Sequence, residues 1–428
     1  MRRFLSLLLA LPLLVACGSK TGLKVRGTES DAGLDLGADL GADLGADLGV
    51  DLGPPLPEPD VCVTLPPLEP PEFVDVSFAA RVALADVVFL VDVTGSMGEE
   101  IAQIQRTLED TIAPGLAAAI DDVHFAVAQF ADFPVRPYGQ PDTDIPYETL
   151  QTSTNDLAAV TRAVGRLETL SGLDVPEAQV QALFQVATNE LVRGIAPSDC
   201  PEGTVGAPCF RADGSRIVLL FTDAPFHNGP GFSNPYDPGD FPDRPASYDQ
   251  AVDALNAIGA RVLGVYSGDP LEDGRRDLEA VARDTGAVVD DEPLVLDIGR
   301  DATGLDDAIV SLVGDLVERV TLDVDVLTED WPGDSIDARE FVGGVVTTGA
   351  RPARGATDLM TRYADVEPGT QVGFRIELQN EDFPRGAEPE SYFLVVVLRG
   401  DGVNRLRETI VQVVIPSIDG RGCEAVAG

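Results

Sequence analysis

RIVLLFT (Arg216–Thr222) holds five consecutive apolar residues, Ile217–Phe221, with no polar position among them. A strand with one wet face alternates polar and apolar side chains, so an unbroken run of this kind predicts a strand buried on both faces. DVVFL (Asp86–Leu90) reads the same way within a strand over Leu84–Val91, and VHFAVAQF (Val123–Phe130) and RVLGVYS (Arg261–Ser267) supply further strands. Helical spacing separates these runs. Ile101, Ile104, Leu108 and Ile112 share one face, and Leu157, Val160, Val164 and Leu167 another. PEAQVQALFQVATNELV, with Pro176 in its first turn, YDQAVDALNAIG, RRDLEAVARDTG and LDDAIVSLVGDLVERV also read as helices, with a short AVVD strand before the last. Alternating strands and helices over 84–320 predict an α/β fold, a doubly wound parallel sheet with flanking helices.

After Val320 the pattern changes. VTLDVDVL, EFVGGVVTT, TQVGFRIELQN, SYFLVVVLRG and RETIVQVVIP are short runs with period-two alternation, and turns such as RGDGVN separate them. Residues 321–428 therefore read as a C-terminal β-sandwich. Residues 73–83 include a further strand, FVDVSFAARV, open to membership of the same sandwich.

The first 17 residues read as a lipoprotein signal peptide: Arg2 and Arg3, the apolar FLSLLLALPLLVA, and LVAC ending at Cys17. LVAC resembles a bacterial lipobox, which implies lipidation of Cys17 and a lipid anchor in the cell envelope. Gly18 and Ser19 follow instead of aspartate, so the expected location is the outer membrane, with the side it faces left open. Residues 18–72 read as a disordered acidic and proline-rich linker, because the four-residue repeat DLGA has nothing to bury. Cys200 and Cys209, in one polar loop, are expected to pair, which leaves Cys62 for Cys423. The net charge of −42, with Lys20 and Lys24 the only lysines, argues against nucleic acid as a partner and confines membrane contact to the lipid anchor.

Ligands of doubly wound sheets bind beyond the carboxyl ends of the strands. LVDVTGSMGEE (Leu90–Glu100) ends one strand in Asp92, Thr94 and Ser96. LLFTDAPFH ends another in Asp223, and SGLDVPEAQ brings Asp174 and Glu177 from a loop. Carboxylates converging from three loops would repel one another, and a divalent cation removes that repulsion. Hydroxyl ligands beside one or two carboxylates suit magnesium.

These segments resemble the von Willebrand factor A domain family, whose metal-ion-dependent adhesion site has the pattern D-x-[ST]-x-S; the inserted domain of integrin β-subunits is the nearest in appearance. The resemblance implies Asp92, Thr94, Ser96, Glu177 and Asp223 as ligands of Mg2+, with Mn2+ as the alternative ion. It also implies flanking Ca2+ sites, one at Glu99 and Glu100, the other at Asp132 and Asp174 beside Glu177. Glutamates stand at 99 and 100 where that family has aspartates, and Gly172 stands where it has an asparagine ligand. His124 and His227 read as structural.

The function that follows is cell adhesion or protein binding, through capture of a partner's carboxylate on the metal. A structural envelope protein with a fold-stabilising metal is the alternative, and a metal-dependent hydrolase a weaker one. No catalytic residues are assigned, since H-E-x-x-H, G-x-S-x-G and Walker motifs are missing from the sequence. Selectivity is expected from two loops, Asp132–Asp156 and His227–Pro245, through Tyr138, Tyr147, Phe232, Tyr236 and Phe241.

Overall fold

The computed structural model describes residues 56–192, 194–268, 273–299, 302, 304–333 and 335–426. The signal segment, Cys17 and the DLGA repeat lie outside the described residues.

Six strands form the sheet of the α/β region. Their spatial order is Val295–Asp297, Ala260–Tyr266, Ser215–Thr222, Leu84–Asp92, Asp122–Phe130 and Glu148–Thr154. The first five are mutually parallel, and the sixth is antiparallel to its neighbour. The apolar runs have the predicted cause. Val87, Phe89 and Val91 face one cluster of buried side chains, and Val88 and Leu90 face another on the opposite side. The first cluster is closed by Ile101, Ile104, Val160, Ile309 and Val313, the second by Val180, Leu183, Leu255, Leu278 and Val281. Each fully buried side chain of this size contributes about 1.5–3 kcal/mol, so both faces hold the sheet. The helix Gly98–Thr107 continues through a π-helical turn, Leu108–Ile112, which still buries Leu108 and Ile112.

Four details differ from the sequence reading. ETLQTST (Glu148–Thr154), expected to be loop, is the antiparallel edge strand. AVVD does not reach the main sheet: Val288–Val289 pairs with Glu292–Pro293, and Val295–Asp297 takes the edge. Pro176 lies ahead of its helix, which begins at Gln179. The expected linker to residue 72 ends sooner, because Val61–Thr64 pairs in parallel with the Asn404–Ile415 strand.

The remaining strands form two further sheets. One has the order Val61–Thr64, Asn404–Ile415, Glu390–Gly400, Leu322–Asp330, Tyr363–Val366 and Thr357–Asp358. The other is Val342–Arg351, Gln371–Leu378 and Glu72–Ala79. Val74, Val76, Phe374 and Ile376 of the smaller sheet share one buried cluster with Leu394, Val396, Val411 and Val413 of the larger. Because Glu72–Ala79 pairs with Gln371–Leu378, the α/β region is inserted in chain order within this β region. Arg216 reaches across, donating to Asn404 Oδ1 at 3.3 Å. Gly259 permits close approach there, since a Cβ on it would lie 2.2 Å from Val403. Cys62 bonds to Cys423 and Cys200 to Cys209. Among the described residues no helix is long and apolar enough to cross a membrane.

Candidate metal centre

The strand order reverses between Leu84–Asp92 and Ser215–Thr222, so the loops after these strands diverge and leave a crevice at the sheet's carboxyl edge. Asp92 lies at its floor with no solvent exposure. One carboxylate oxygen accepts from the Thr94 backbone N–H at 2.9 Å and its hydroxyl at 2.7 Å. The other accepts from the Thr222 hydroxyl at 2.7 Å, which in turn accepts from Gln179 Nε2 at 2.9 Å. Ser96 donates to Asp223 Oδ1 at 3.0 Å. Above Asp92 opens a cleft of about 450 Å³ lined by Thr94, Ser96, Glu100, Asp174, Glu177 and Asp223 among others. The structure thus brings Asp92, Thr94, Ser96, Glu177 and Asp223 to one place.

Glu177 is buried, and Gly172 explains its position. Gly172 has φ +61, and a Cβ there would lie 2.8 Å from a Glu177 carboxylate oxygen. The Gly172 loop is pinned by Asp144, whose carboxylate accepts from the backbone N–H groups of Ser171 and Gly172 at 3.3 and 3.1 Å. Asp144 went unnoticed in the sequence because its role depends on a loop 27 residues away. Thr222 and Gln179, which support Asp92, were missed for the same reason.

The electrostatics are one-sided. No lysine or arginine lines the cleft among the described residues. Burial, then the Asp92, Asp132 and Asp174 charges, push the Glu177 carboxyl up to about 11. Burial likewise raises Asp92 to about 7, against the hydrogen bonds of Thr94 and Thr222. Burial also raises Glu100. One oxygen each of Glu100, Asp132, Asp174 and Glu177 is buried with no hydrogen-bond partner. Buried oxygens of this kind cost free energy unless something satisfies them. A divalent cation suits the donor set, since it would satisfy the lone pairs and offset the repulsion together.

Asp132, Asp174 and His227 form a second group whose ligand atoms all lie within 4.8 Å of one another. Burial raises the Asp132 carboxyl to about 7, with the His227 charge opposing. Burial lowers the basicity of His227, but hydrogen bonding to Asp174 and the Asp132 charge outweigh it and raise its pKa. His227 is therefore a member of the site region, where the sequence reading left it structural.

Two expectations are corrected. Glu99 is exposed on the first helical turn and does not line the cleft, whereas Glu100 does. Successive helical residues point about 100° apart, so one of the pair turns away. The loop aromatics are also not a display surface. Tyr138, Tyr236 and Phe241 pack with Phe133 in a small buried cluster, and Tyr147 is buried in the core. The Tyr236 hydroxyl donates to Asp132 Oδ1 at 2.5 Å. Removing Tyr236 and Phe241 would therefore disturb the carboxylates themselves. Only Phe232 of the five stands exposed, at 85%.

No family model matches the chain, and no curated protein matches it. Among solved structures it is similar to one described as "Crystal Structure of the SpRpn10 VWA domain", at 12% identity and a TM-score of 0.31, over 53% of this chain and 94% of that one.

Proposed function

We propose that residues 84–320 form a von Willebrand factor A-like domain that binds Mg2+ through Asp92, Thr94, Ser96, Glu177 and Asp223 and captures a carboxylate of a partner protein. In this reading Mn2+ can replace Mg2+, and Ca2+ can enter near Glu100. The observation that carries it is the convergence of Asp92, Asp223 and Glu177 where strand order reverses, with Glu100, Asp174 and Glu177, each holding a buried, unpartnered carboxylate oxygen, lining the same cleft. The ion would be held by these side chains and would leave a coordination position for an incoming carboxylate. The remaining strands, read as a β-sandwich, and a lipid anchor at Cys17 would present this domain in the bacterial cell envelope, at the outer membrane. The protein is proposed to be a binding module and not an enzyme. No nucleophile–base pair is placed at the cleft by the sequence motifs.

The test is capture of partners from an envelope extract by the purified protein, with magnesium and with chelator. Capture that needs magnesium and is lost in Asp92→Ala is the expected result. Capture indifferent to chelator and to Asp92→Ala would sink the reading. A melting temperature that falls with chelator while capture persists would instead favour a metal that only stabilises the fold.

A further inference from the structure

The loop closed by Cys200 and Cys209 touches two elements that lead to the acidic cleft. On one side is the helix Gln179–Thr188. The Ala207 N–H donates to the Gln185 carbonyl at 3.3 Å. Asn189, just past the helix, donates from Nδ2 to the Ser198 carbonyl at 3.0 Å and accepts from the Ser198 N–H at 2.8 Å. Gly206, with φ +70, comes so close to the helix that a Cβ there would lie 2.1 Å from the Val186 carbonyl oxygen. On the other side is the edge strand Glu148–Thr154. Its Ser153 N–H donates to the Pro208 carbonyl at 2.7 Å. The Thr149 hydroxyl accepts from Ser198 at 2.9 Å and donates to the Ala207 carbonyl at 3.4 Å. Its one hydrogen is then used, so the Tyr147 hydroxyl, 2.9 Å away, donates to it.

The helix begins at Gln179, two residues after Glu177, and Gln179 donates to the Thr222 hydroxyl that supports Asp92. The edge strand follows Tyr147. Three residues before Tyr147, Asp144 fixes the Ser171 and Gly172 N–H groups, and Gly172 lies against Glu177. Tyr147 itself packs in one buried cluster with Val180 and Leu183 of the helix and with Ala207 and Phe210. The disulfide loop thus holds both supports of the Glu177 wall at once.

We infer that the Cys200–Cys209 bond is a redox-sensitive brace for the cleft. Closed, it keeps the helix and the edge strand together, so that Glu177 and the Gly172 loop stay in place to receive a cation. Opened by a dithiol, it lets these supports loosen and weakens cation binding. This rests on the reading of the cleft as a magnesium site. The effect works through population: a cleft correctly shaped for only part of the time has its apparent affinity reduced by that fraction. The chemistry is thiol–disulfide exchange. A thiolate of the reagent attacks Sγ of Cys200, which is partly exposed beside the exposed Pro201, Glu202 and Gly203, and the buried Cys209 leaves as a thiolate. The reagent's second thiol then displaces Cys200. The protein gains two electrons and two protons, and the reagent becomes a disulfide.

The test compares the full chain with a Cys200→Ser, Cys209→Ser variant, which keeps the Cys62–Cys423 bond. Magnesium affinity is measured by calorimetry, and backbone hydrogen exchange by mass spectrometry. The variant is expected to fold, to bind magnesium about 2- to 30-fold more weakly, and to exchange faster over 148–154 and 171–182. Dithiothreitol, at a dose where peptide mapping shows Cys200–Cys209 open and Cys62–Cys423 closed, should give the same loss, and reoxidation should restore it. A bond that only staples the fold would lower the melting temperature and leave affinity unchanged, and that result overturns the inference. So does a Cys200–Cys209 bond that resists reduction until the chain unfolds. If the double variant does not fold, Thr149→Val keeps the bond and removes the strand's side-chain contacts with the loop. Weaker magnesium binding is expected there too, and unchanged affinity overturns the brace. If the unaltered chain binds no magnesium, the adhesion-site reading fails by itself. The brace is then decided by exchange over 171–182 in the variant, and unchanged exchange overturns it.

Discussion

The Leu84–Asp92 strand carries a fully buried aspartate near each end, and the two are treated in opposite ways. At the amino end Asp86 meets a cation of its own chain: Arg211 donates to it from Nε at 2.8 Å and from its backbone N–H at 2.5 Å. Arg216 beside it is buried too, and its guanidinium is spent on the carbonyls of Ile258, Arg211 and Ala212. At the carboxyl end Asp92 meets two hydroxyls and one backbone N–H, and among the described residues no arginine lines the cleft with its carboxylates. The difference separates a closed charge from an open one. A buried carboxylate paired within the chain is structural and complete. One surrounded by other carboxylates and neutral donors leaves its charge unbalanced within the chain, which is the condition an ion from outside would relieve.

Breaking the closed end should have the largest effect. Arg211→Ala leaves Asp86 buried and unpaired, and a loss of about 3–5 kcal/mol in urea unfolding is expected, with metal affinity unchanged in whatever remains folded. Glu177→Gln at the open end should do the reverse. The metal-free Glu177 carboxyl is already protonated at neutral pH, so its neutral isostere should leave metal-free stability within about 1 kcal/mol. The loss should appear on adding ion: the unaltered chain gains about 2.7 kcal/mol at magnesium 100-fold above its Kd, and the variant should not. A variant stabilised equally by magnesium would show that the open end is not an ion site.

Proton competition gives a smaller, graded effect. Asp92 is raised to about 7 and Glu177 to about 11 in the metal-free protein, so the ion must displace protons. Magnesium affinity should fall as pH falls, by about tenfold per pH unit for each proton released, measured calorimetrically between pH 5 and 8. For the metal-free chain the sign is opposite. The folded state holds protons that the unfolded state releases above the ordinary carboxylate range, so stability falls as pH rises from about 4 to 7. Affinity independent of pH would remove Asp92 and Glu177 from the ligand set. The smallest effect sharpens the boundary of the open end. Glu99→Gln, at an exposed position outside the cleft, should change stability by no more than about 0.5 kcal/mol and leave cation affinity unaltered, whereas Glu100→Gln should weaken it.

How far the sequence could be read depends on the range of the interactions involved. The central strands were legible because burial on both faces writes itself as an unbroken apolar run, as in Ile217–Phe221. Asp92 and Asp223 were legible because each ends such a run. The edge strand Glu148–Thr154 was not, since TLQTST carries neither an apolar run nor alternation, and its partner on one side alone makes it a strand. Val288–Val289 has strand composition but too few residues to reach the sheet. The loop aromatics misled for a related reason. Composition marks Tyr236 and Phe241 as contact residues but does not say that Phe133 and Tyr138, about a hundred positions earlier, will cover them. His227 was passed over because its partners, Asp132 and Asp174, lie 95 and 53 residues before it in the chain.

The bond between Cys62 and Cys423 joins residues 361 apart in sequence, and it determines how the molecule would carry tension. A pull on the segment before Cys62 enters the β region through a covalent bond to the opposite end of the chain and through the parallel pairing of Val61–Thr64 with Val411–Val414. From there to the acidic cleft the load has two covalent routes, one after Ala79 and one before Leu322, because the α/β region is inserted and not appended. Force between the cleft and the amino-terminal segment would thus have two covalent crossings into the α/β region instead of one.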